Sequence, residues 1–306
     1  MLTAQRKPPI ERAAGAGAMT EPTTRSGKTH ETENFPVASI LVRPEYRPPI
    51  MAFYDFARTA DDIADDGAFS PEEKVRRLDA MEAGLTGEGD DLRGVALRAA
   101  LKPRGLSGRH ARDLLIAFRA DATKLRYADW WELMGYCAYS ANPVGRFVLD
   151  VHGEDERVWP ASDAICSALQ IINHLQDCAD DFRKINRVYI PGDRLAAHGV
   201  PVEALAAPRA SQELRAVIVE LAERTRVLLR EGRTLAGDVV DRRLRLEIQV
   251  IYALAEAHID RLLTMDPLAE RTKLPRWGMG WVALRAAVGG FLYGAPRSAR
   301  VSEARS

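Results

Sequence analysis

From about residue 46 onward, apolar residues recur at intervals of three and four along almost the whole chain, and no stretch alternates convincingly with a period of two. Intervals of three and four place apolar side chains on one face of an α-helix, whereas alternation is typical of a half-buried β-strand. The pattern therefore predicts an all-α fold. Because neither a repeat nor a linker divides the helices, we predict a single helical domain over residues 31–295.

Caps and prolines predict where several of the helices begin. Ser70 followed by Pro71 is typical of an N-cap followed by the first helical residue, and Ser107 precedes a helix that runs toward Asp121. Three longer helices are predicted over residues 161–184, 211–236 and 239–264. A loop at residues 190–192 follows the first of these.

Both ends of the chain lack this helical pattern. Residues 1–30 mix charged residues with Pro, Gly and Thr and have no apolar core of a signal peptide, so we predict a disordered extension, with Met1 and Met19 as alternative starts. Residues 296–306 are predicted to be a disordered tail. Residues 277–295 are apolar but Gly-rich and carry an arginine, which argues against a membrane span and leaves peripheral contact with the inner membrane open.

The balance of charges and the spacing of the cysteines argue against several kinds of binding function. The chain has 43 Lys and Arg residues and 43 Asp and Glu residues, so no net field draws it to nucleic acid or to an anionic membrane surface. Cys137, Cys166 and Cys178 are widely spaced and match no zinc pattern, which fits a reduced, cytoplasmic setting.

Two predicted helices are apolar around a single polar stripe, the reverse of a surface helix. Residues three, four, seven and eleven apart share one helical face. The first stripe consists of Tyr54, Arg58, Asp61 and Asp65, and the second of Gln170, Asn173, Asp177, Asp181 and Lys184. The two stripes predict a polar site inside a helical bundle.

Each stripe contains two aspartates four residues apart, which places two carboxylates one helical turn apart. This arrangement suits Mg²⁺, which takes one or two carboxylates and fills its other positions with water and phosphate oxygens. Buried carboxylates need a cation, so metal or the basic residues Arg58, Lys184 and Arg187 must neutralise them. We therefore expect a phosphate-bearing ligand between the stripes. A solvated acidic face is the alternative for one cluster, but it explains two clusters of equal spacing less well.

Four blocks of sequence resemble the squalene and phytoene synthase family of head-to-head prenyl transferases over most of residues 31–293. They are NFPVAS (34–39), YDFARTADDIADD (54–66), YCAYSANPVG (136–145) and QIINHLQDCADDFRKINRVYIP (170–191). The first and third blocks are most similar to the branch of the family that makes hydroxysqualene in the bacterial hopanoid pathway. The resemblance implies an isoprenoid-synthase-like helical bundle with a central cavity.

The resemblance also implies a role for each polar residue of the blocks. Aspartates that bind diphosphate through Mg²⁺ would be Asp61, Asp65, Asp177 and Asp181, with Asp62 and Asp180 in support. Residues that hold the diphosphate would be Arg58, Lys184 and Arg187. Further contacts with the substrate would come from Tyr54, Gln170, Asn173, Asn34 and Phe35.

Tyr139 matches a tyrosine that the family places near the reacting carbons, where the ring can stabilise a cation or the hydroxyl can handle a proton. A tyrosine that merely fills space is the alternative. Pro143 is predicted to kink the helix and to leave a carbonyl near residue 139 unpaired. This is either an ordinary kink or a place where the freed carbonyl and Asn142 position a water.

The implied reaction converts presqualene diphosphate and water to hydroxysqualene and diphosphate. One alternative is synthesis of presqualene diphosphate, squalene or phytoene from prenyl diphosphates, and another is a non-catalytic assembly protein on the same fold. No nicotinamide cofactor is expected, because the GxGxxA-like stretch at residues 278–283 does not follow a strand. Handover of product to other enzymes of the squalene pathway is the expected partnership.

Overall fold

The structure is a computed structural model that describes residues 42–275, 278–280 and 282. Between residues 42 and 275 it forms α-helices joined by short turns, some of them 3₁₀. The α-helices are α1 (Arg47–Asp65), α2 (Pro71–Thr86), α3 (Leu92–Leu101), α4 (Arg109–Asp121), α5 (Trp130–Ser140), α6 (Asn142–His152), α7 (Trp159–Ile185), α8 (Gly192–Ala197), α9 (Gln212–Glu231), α10 (Leu235–Asp238) and α11 (Arg242–Thr264). The predicted all-α fold is confirmed. Residues 31 and 295, the predicted ends of the domain, lie outside the described residues. The predicted N-terminal extension and tail lie outside them as well.

Local sequence sets the helix ends much as the pattern predicts. The Ser70 hydroxyl accepts a hydrogen bond of 3.3 Å from the Glu73 backbone N–H at the start of α2, which satisfies one of the unpaired donors of the first turn. The same helix ends at Gly87, whose φ of 99° favours glycine. Aspartate or serine caps α3, α5, α9 and α11 in the same way.

Two apolar clusters form the core, and α6 contributes to both. One cluster surrounds α7, α9 and α11 and includes Ile172 and Leu221, which are fully buried or nearly so. The other surrounds α1 to α4 and includes Phe56 and Leu115. Phe147 of α6 stacks on Phe53 of α1 with ring centroids 4.0 Å apart. The helix α7, 27 residues long, is thus enclosed along most of its length.

Pro143 breaks the helix instead of kinking it. The chain leaves helical geometry at Ala141 (φ −122°, ψ −47°), where α5 ends and α6 begins, and Pro143 lies in the first turn of α6. This position is favourable because the missing N–H of proline is one that the first turn leaves unpaired in any case. The interpretation of one kinked helix is therefore corrected to two helices.

Candidate active site

The polar stripe of α7 stays half-exposed while its neighbours are buried. Asn173, Asp177 and Asp181 keep intermediate exposure, as does Gln170. The next residues around the helix, such as Ile171, Ile172 and Leu175, are at most 2% exposed. A polar face on an otherwise buried helix is therefore a candidate for an internal polar site.

The aspartates of α1 surround Arg58, which lies one turn before them. Its guanidinium donates to the Asp61 carboxylate at 3.0 Å and to Asp62. The Arg58 side chain is 17% exposed, whereas that of Asp61 is 39% exposed. Arg58 therefore offsets part of the negative charge of this cluster, and the Asp61 carboxylate is the more exposed partner.

Arg187 joins the two acidic clusters. Its backbone N–H donates to the Asp181 carbonyl at 3.2 Å, because the chain turns back directly after α7. Its guanidinium reaches across to the Asp65 carboxylate of α1 at 2.9 Å. The C-terminal ends of α1 and α7 therefore face each other, which is the arrangement that a ligand bound by both acidic clusters requires.

A buried polar network lies behind this bridge. Arg187 is 5% exposed and donates to the Asp121 carbonyl at 2.8 Å and to the Tyr189 hydroxyl at 3.3 Å. The Tyr136 hydroxyl donates to the Asp121 carboxylate at 2.9 Å and lies 3.3 Å from the Tyr189 hydroxyl. Burial raises the pKa of Asp121 to about 6, although the nearby Arg187 and the hydrogen bond from Tyr136 oppose the change.

Lys273 and two histidines lie beside the aspartates of α7. The Lys273 ammonium donates to the Asp177 carboxylate at 2.8 Å. The His174 Nδ1 lies 4.0 Å from the Asp181 carboxylate, and its ring stacks on Tyr189 at 3.4 Å. His258 of α11 is fully buried beside Gln176, the residue before Asp177.

Asp180 and Lys184 are paired with each other at the exposed end of α7. They form a 2.9 Å ion pair in which the side chains are 57% and 71% exposed. Lys184 lies on the last turn of α7, where both side chains are open to solvent. Their predicted support of metal and diphosphate stays a prediction.

An apolar cavity of about 390 Å³ begins at Arg58 and Asp61 of α1 and extends between α1, α6, α7 and α11, and its described lining includes no aspartate of α7. Tyr54 lines it beside Arg58 and Asp61, and the roles of these residues in substrate binding stay predictions. At a rise of about 1.5 Å per residue, the α1 residues that line it, from Ile50 to Asp61, cover about 16 Å. The greater part of the lining is apolar and includes Phe53, Ala57, Phe118, Leu169, Ile248 and Ile251. The site thus combines charged groups at one end with an apolar chamber.

Tyr139 and Asn142 lie in other surroundings than the sequence suggested. Tyr139 is 44% exposed and is absent from the described cavity lining. Asn142 is buried, and its amide oxygen accepts a 2.8 Å hydrogen bond from the Ser167 hydroxyl between α6 and α7. The predicted roles of these two residues therefore gain no support from their positions. Asn34 and Phe35 lie outside the described residues.

Sequence reasoning missed Asp121, Tyr136, Tyr189 and Lys273 as members of the site. Tyr136 and Tyr189 were present in the blocks that carried the resemblance, so their position there was the available signal. Asp121 ends an ordinary amphipathic helix, and Lys273 lies beyond α11, where no periodicity marks it. Only the fold brings these two residues to the aspartates.

The donor set at the facing helix ends fits Mg²⁺. Carboxylate oxygens are the ligands that this ion prefers, and one or two of them suffice when phosphate oxygens complete the shell. Across residues 42–275, no three His, Cys, Asp or Glu side chains converge into a ready-made metal site. Arginine or lysine contacts Asp61, Asp65 and Asp177 instead. A cation bound by these carboxylates would compete with the basic side chains for them.

Comparison with known sequences identifies the family. The sequence model of squalene/phytoene synthases matches residues 28–278. The chain belongs to the squalene/phytoene synthase family. It is 54% identical over 251 residues to the hydroxysqualene synthase of Rhodopseudomonas palustris, covering 82% of this chain and 86% of that protein. The hydroxysqualene synthase of Sinorhizobium fredii is 50% identical over the same shares, and that of Zymomonas mobilis is 48% identical, with 84% and 89% covered.

Solved structures of family members share the fold. The crystal structure of a squalene synthase from Alicyclobacillus acidocaldarius superposes with a TM-score of 0.65 at 31% identity and covers 73% of this chain and 85% of that one. A dehydrosqualene synthase superposes with a TM-score of 0.71 at 18% identity, covering 83% and 90%. This squalene/phytoene synthase therefore has the all-α fold of isoprenoid synthases. Among its described helices, none is both long and apolar enough to cross a membrane.

Proposed function

We propose that this enzyme is a hydroxysqualene synthase, which converts presqualene diphosphate and water to hydroxysqualene and diphosphate. The observation that carries the proposal is the approach of the acidic ends of α1 and α7, bridged by Arg187, beside a long apolar cavity that Arg58 and Asp61 line. The acidic ends bind a diphosphate through Mg²⁺, and the cavity takes a hydrocarbon chain. Support for this product over others comes from three hydroxysqualene synthases at 48–54% identity over most of the chain.

The proposed role of each site residue follows from its position. Mg²⁺ supplies neutralising charge for the departing diphosphate when it is bound, and Asp61, Asp65, Asp177 and Asp181 would hold it. Arg58 lies at the cavity mouth, where its guanidinium orients the diphosphate once it releases Asp61. The apolar walls then exclude stray water and hold the substrate in one folded conformation while the cation rearranges.

Water ends the reaction by attacking the cation, which forms the carbon–oxygen bond of the alcohol and releases one proton. Little acid and base machinery is needed, because the departing diphosphate can accept that proton. The Asn142 side chain accepts a hydrogen bond from Ser167 and is not part of the described cavity lining. The structure therefore gives less support than the sequence did to the idea that Asn142 positions the attacking water.

Synthesis of presqualene diphosphate from farnesyl diphosphate is the second candidate, because the same aspartates and cavity serve both reactions. A non-catalytic assembly protein is less favoured, since both polar stripes are complete and Arg187 bridges the ends of their helices. The purified enzyme should therefore be incubated separately with presqualene diphosphate and with farnesyl diphosphate. Each incubation is run with Mg²⁺, with and without reduced nicotinamide, in ¹⁸O-labelled water.

We expect Mg²⁺ alone to support conversion of presqualene diphosphate to hydroxysqualene that carries the labelled oxygen. Reduced nicotinamide should leave the rate and product unchanged. Formation of squalene only with reduced nicotinamide, or consumption of farnesyl diphosphate but not presqualene diphosphate, would favour the other synthases. No turnover of either substrate would favour the assembly protein.

Removal of one acidic ligand tests the metal assignment. Asp61→Asn or Asp177→Asn should lower turnover at least about a hundredfold, which corresponds to about 2.7 kcal/mol in the activation barrier, while the fold stays intact. Asp79→Asn is the matched control, since Asp79 is 58% exposed and pairs with Arg119 on the surface. Near-normal Mg²⁺-dependent turnover in both site variants would refute the assignment.

A further inference from the structure

Asp121 is a buried acid that the proposed reaction does not use. It is 5% exposed at the C-terminal end of α4 and belongs to neither polar stripe. Its carboxylate accepts a 2.9 Å hydrogen bond from Tyr136 and lies 3.8 Å from the guanidinium of Arg187. Burying a carboxylate costs free energy unless it is paired, so the position of Asp121 beside the proposed metal site suggests a role for its charge.

Arg187 is shared between two carboxylates. Its guanidinium donates to the Asp65 carboxylate at 2.9 Å. On the buried side it donates to the Asp121 carbonyl and lies near the Asp121 carboxylate. The Asp65 side chain is 41% exposed toward the site, whereas that of Asp121 is 4% exposed. One positive charge therefore lies between an accessible carboxylate and an inaccessible one, and the three groups together carry one negative charge.

The other charges that face this group do not reverse that balance. Lys74 of α2 donates to the Ala64 carbonyl at 2.8 Å and lies close enough to Asp65, Asp66 and Asp121 for charge interaction. Asp66 follows α1 directly and offsets Lys74. The local surplus of one negative charge thus depends on Asp121.

We propose that Asp121 is a positioning residue for metal binding. It holds Arg187 and shares its positive charge, so that Asp65 keeps enough negative charge to bind a divalent cation. Without the Asp121 charge, Arg187 would pair with Asp65 alone and compete with the metal for it. This inference rests on the proposed function, because it presumes that Asp65 is a metal ligand.

The test measures Mn²⁺ binding by calorimetry and by electron paramagnetic resonance, on the full chain without substrate at pH 8. Asp121→Asn keeps the shape and the acceptor for Tyr136 but removes the charge. It should weaken Mn²⁺ binding about tenfold, as expected for loss of one charge near a divalent ion across partly buried protein. Unchanged affinity in a folded Asp121→Asn protein would overturn the inference.

A second substitution separates charge sharing from a general structural role. Arg187→Gln keeps a donor toward Asp65 but removes the competing cation, so this variant should bind Mn²⁺ at least about threefold more tightly than the unmodified enzyme. In that background Asp121→Asn should change the affinity less than about threefold, because its effect runs through Arg187. Equal effects of Asp121→Asn in both backgrounds would refute charge sharing, as would weaker binding by Arg187→Gln alone. The Arg187→Gln measurement stands even if Asp121→Asn alone does not fold.

Asp65→Asn distinguishes failure of this inference from failure of the proposed function. If Asp65→Asn binds Mn²⁺ as tightly as the unmodified enzyme, the metal assignment itself fails. If Asp65→Asn binds weakly while Asp121→Asn binds normally, only the role of Asp121 fails. Asp79→Asn serves again as the surface control and should leave the affinity unchanged.

Discussion

Acid should destabilise this enzyme through His258, which is 0% exposed between α11 and α7. Burial lowers the pKa of His258 from 6.5 to about 4, and the positive charges of Arg261 and Lys273 act in the same direction. The native state therefore holds the imidazole neutral in a range where the unfolded chain protonates it. Stability is complete above pH 6.5 and falls as the pH decreases toward 4, because the unfolded state binds more protons there.

The size of the effect follows from the two pKa values. At about 1.4 kcal/mol for each pH unit, the interval between 6.5 and about 4 corresponds to about 3 kcal/mol of unfolding free energy. About 2 kcal/mol of this unfolding free energy is lost between pH 7 and pH 5, because His258 of the unfolded chain becomes almost fully protonated in that range. The loss is a substantial share of the stability that a typical domain has.

Urea denaturation of the unmodified enzyme and of His258→Gln, at pH 7 and at pH 5, measures this contribution. Glutamine has no titrating group, so the fall in unfolding free energy between the two values should be about 2 kcal/mol smaller in the variant. Equal m-values in all four experiments ensure that the comparison concerns stability. An unchanged fall in His258→Gln would show that His258 does not titrate as its burial requires, and the reasoning would be refuted.

Two further predictions concern the walls of the site. Gly145→Ala should lower the unfolding free energy by about 1–3 kcal/mol, since its Cβ would lie 2.5 Å from the Cys166 sulfur and from the Ser162 hydroxyl. Thermal denaturation measures the loss. If adding Cys166→Ala and Ser162→Ala to the variant does not restore stability, the steric explanation is contradicted. Tyr136→Phe should cost about 1–3 kcal/mol because the buried Asp121 loses its 2.9 Å donor, while the exposed Tyr139→Phe should stay within about 0.5 kcal/mol. Equal stability of the two tyrosine variants in denaturant would argue against this ranking.

Periodicity and caps were sufficient to predict much of the fold. The predicted helix at residues 161–184 is Trp159–Ile185, and the one at 239–264 is Arg242–Thr264. The predicted helix at 211–236 is correct as far as Glu231, after which a 3₁₀ turn at Gly232–Thr234 interrupts it. A Cβ at Gly232 would lie 2.4 Å from Ile165, so close packing against α7 was the feature that sequence spacing does not reveal.

The site was predictable where its residues follow one helix face. The stripes on α1 and α7 follow from local periodicity alone, and the α1 stripe lines the cavity through Tyr54, Arg58 and Asp61, whereas the α7 stripe is not part of the described lining. Asp121 and Lys273 were not predictable, because only tertiary contacts bring α4 and the segment after α11 to the aspartates. Tyr139 was chosen from the resemblance, yet the fold exposes it and places Tyr136 of the same block in the buried network.

The ion pairs at the acidic helix ends bear on the order in which ligands bind. Among the described residues, Arg58, Lys184, Arg187 and Lys273 pair with five of the six aspartates proposed to bind metal, and His174 lies 4.0 Å from the sixth, Asp181. These six aspartates and four basic side chains together leave two negative charges in excess. An uncompensated diphosphate would meet this excess at the cavity mouth and be repelled. A divalent cation would be attracted instead, and in the proposed reaction the basic side chains would then be available to hold the diphosphate. The charge distribution therefore favours entry of metal before, or together with, the diphosphate.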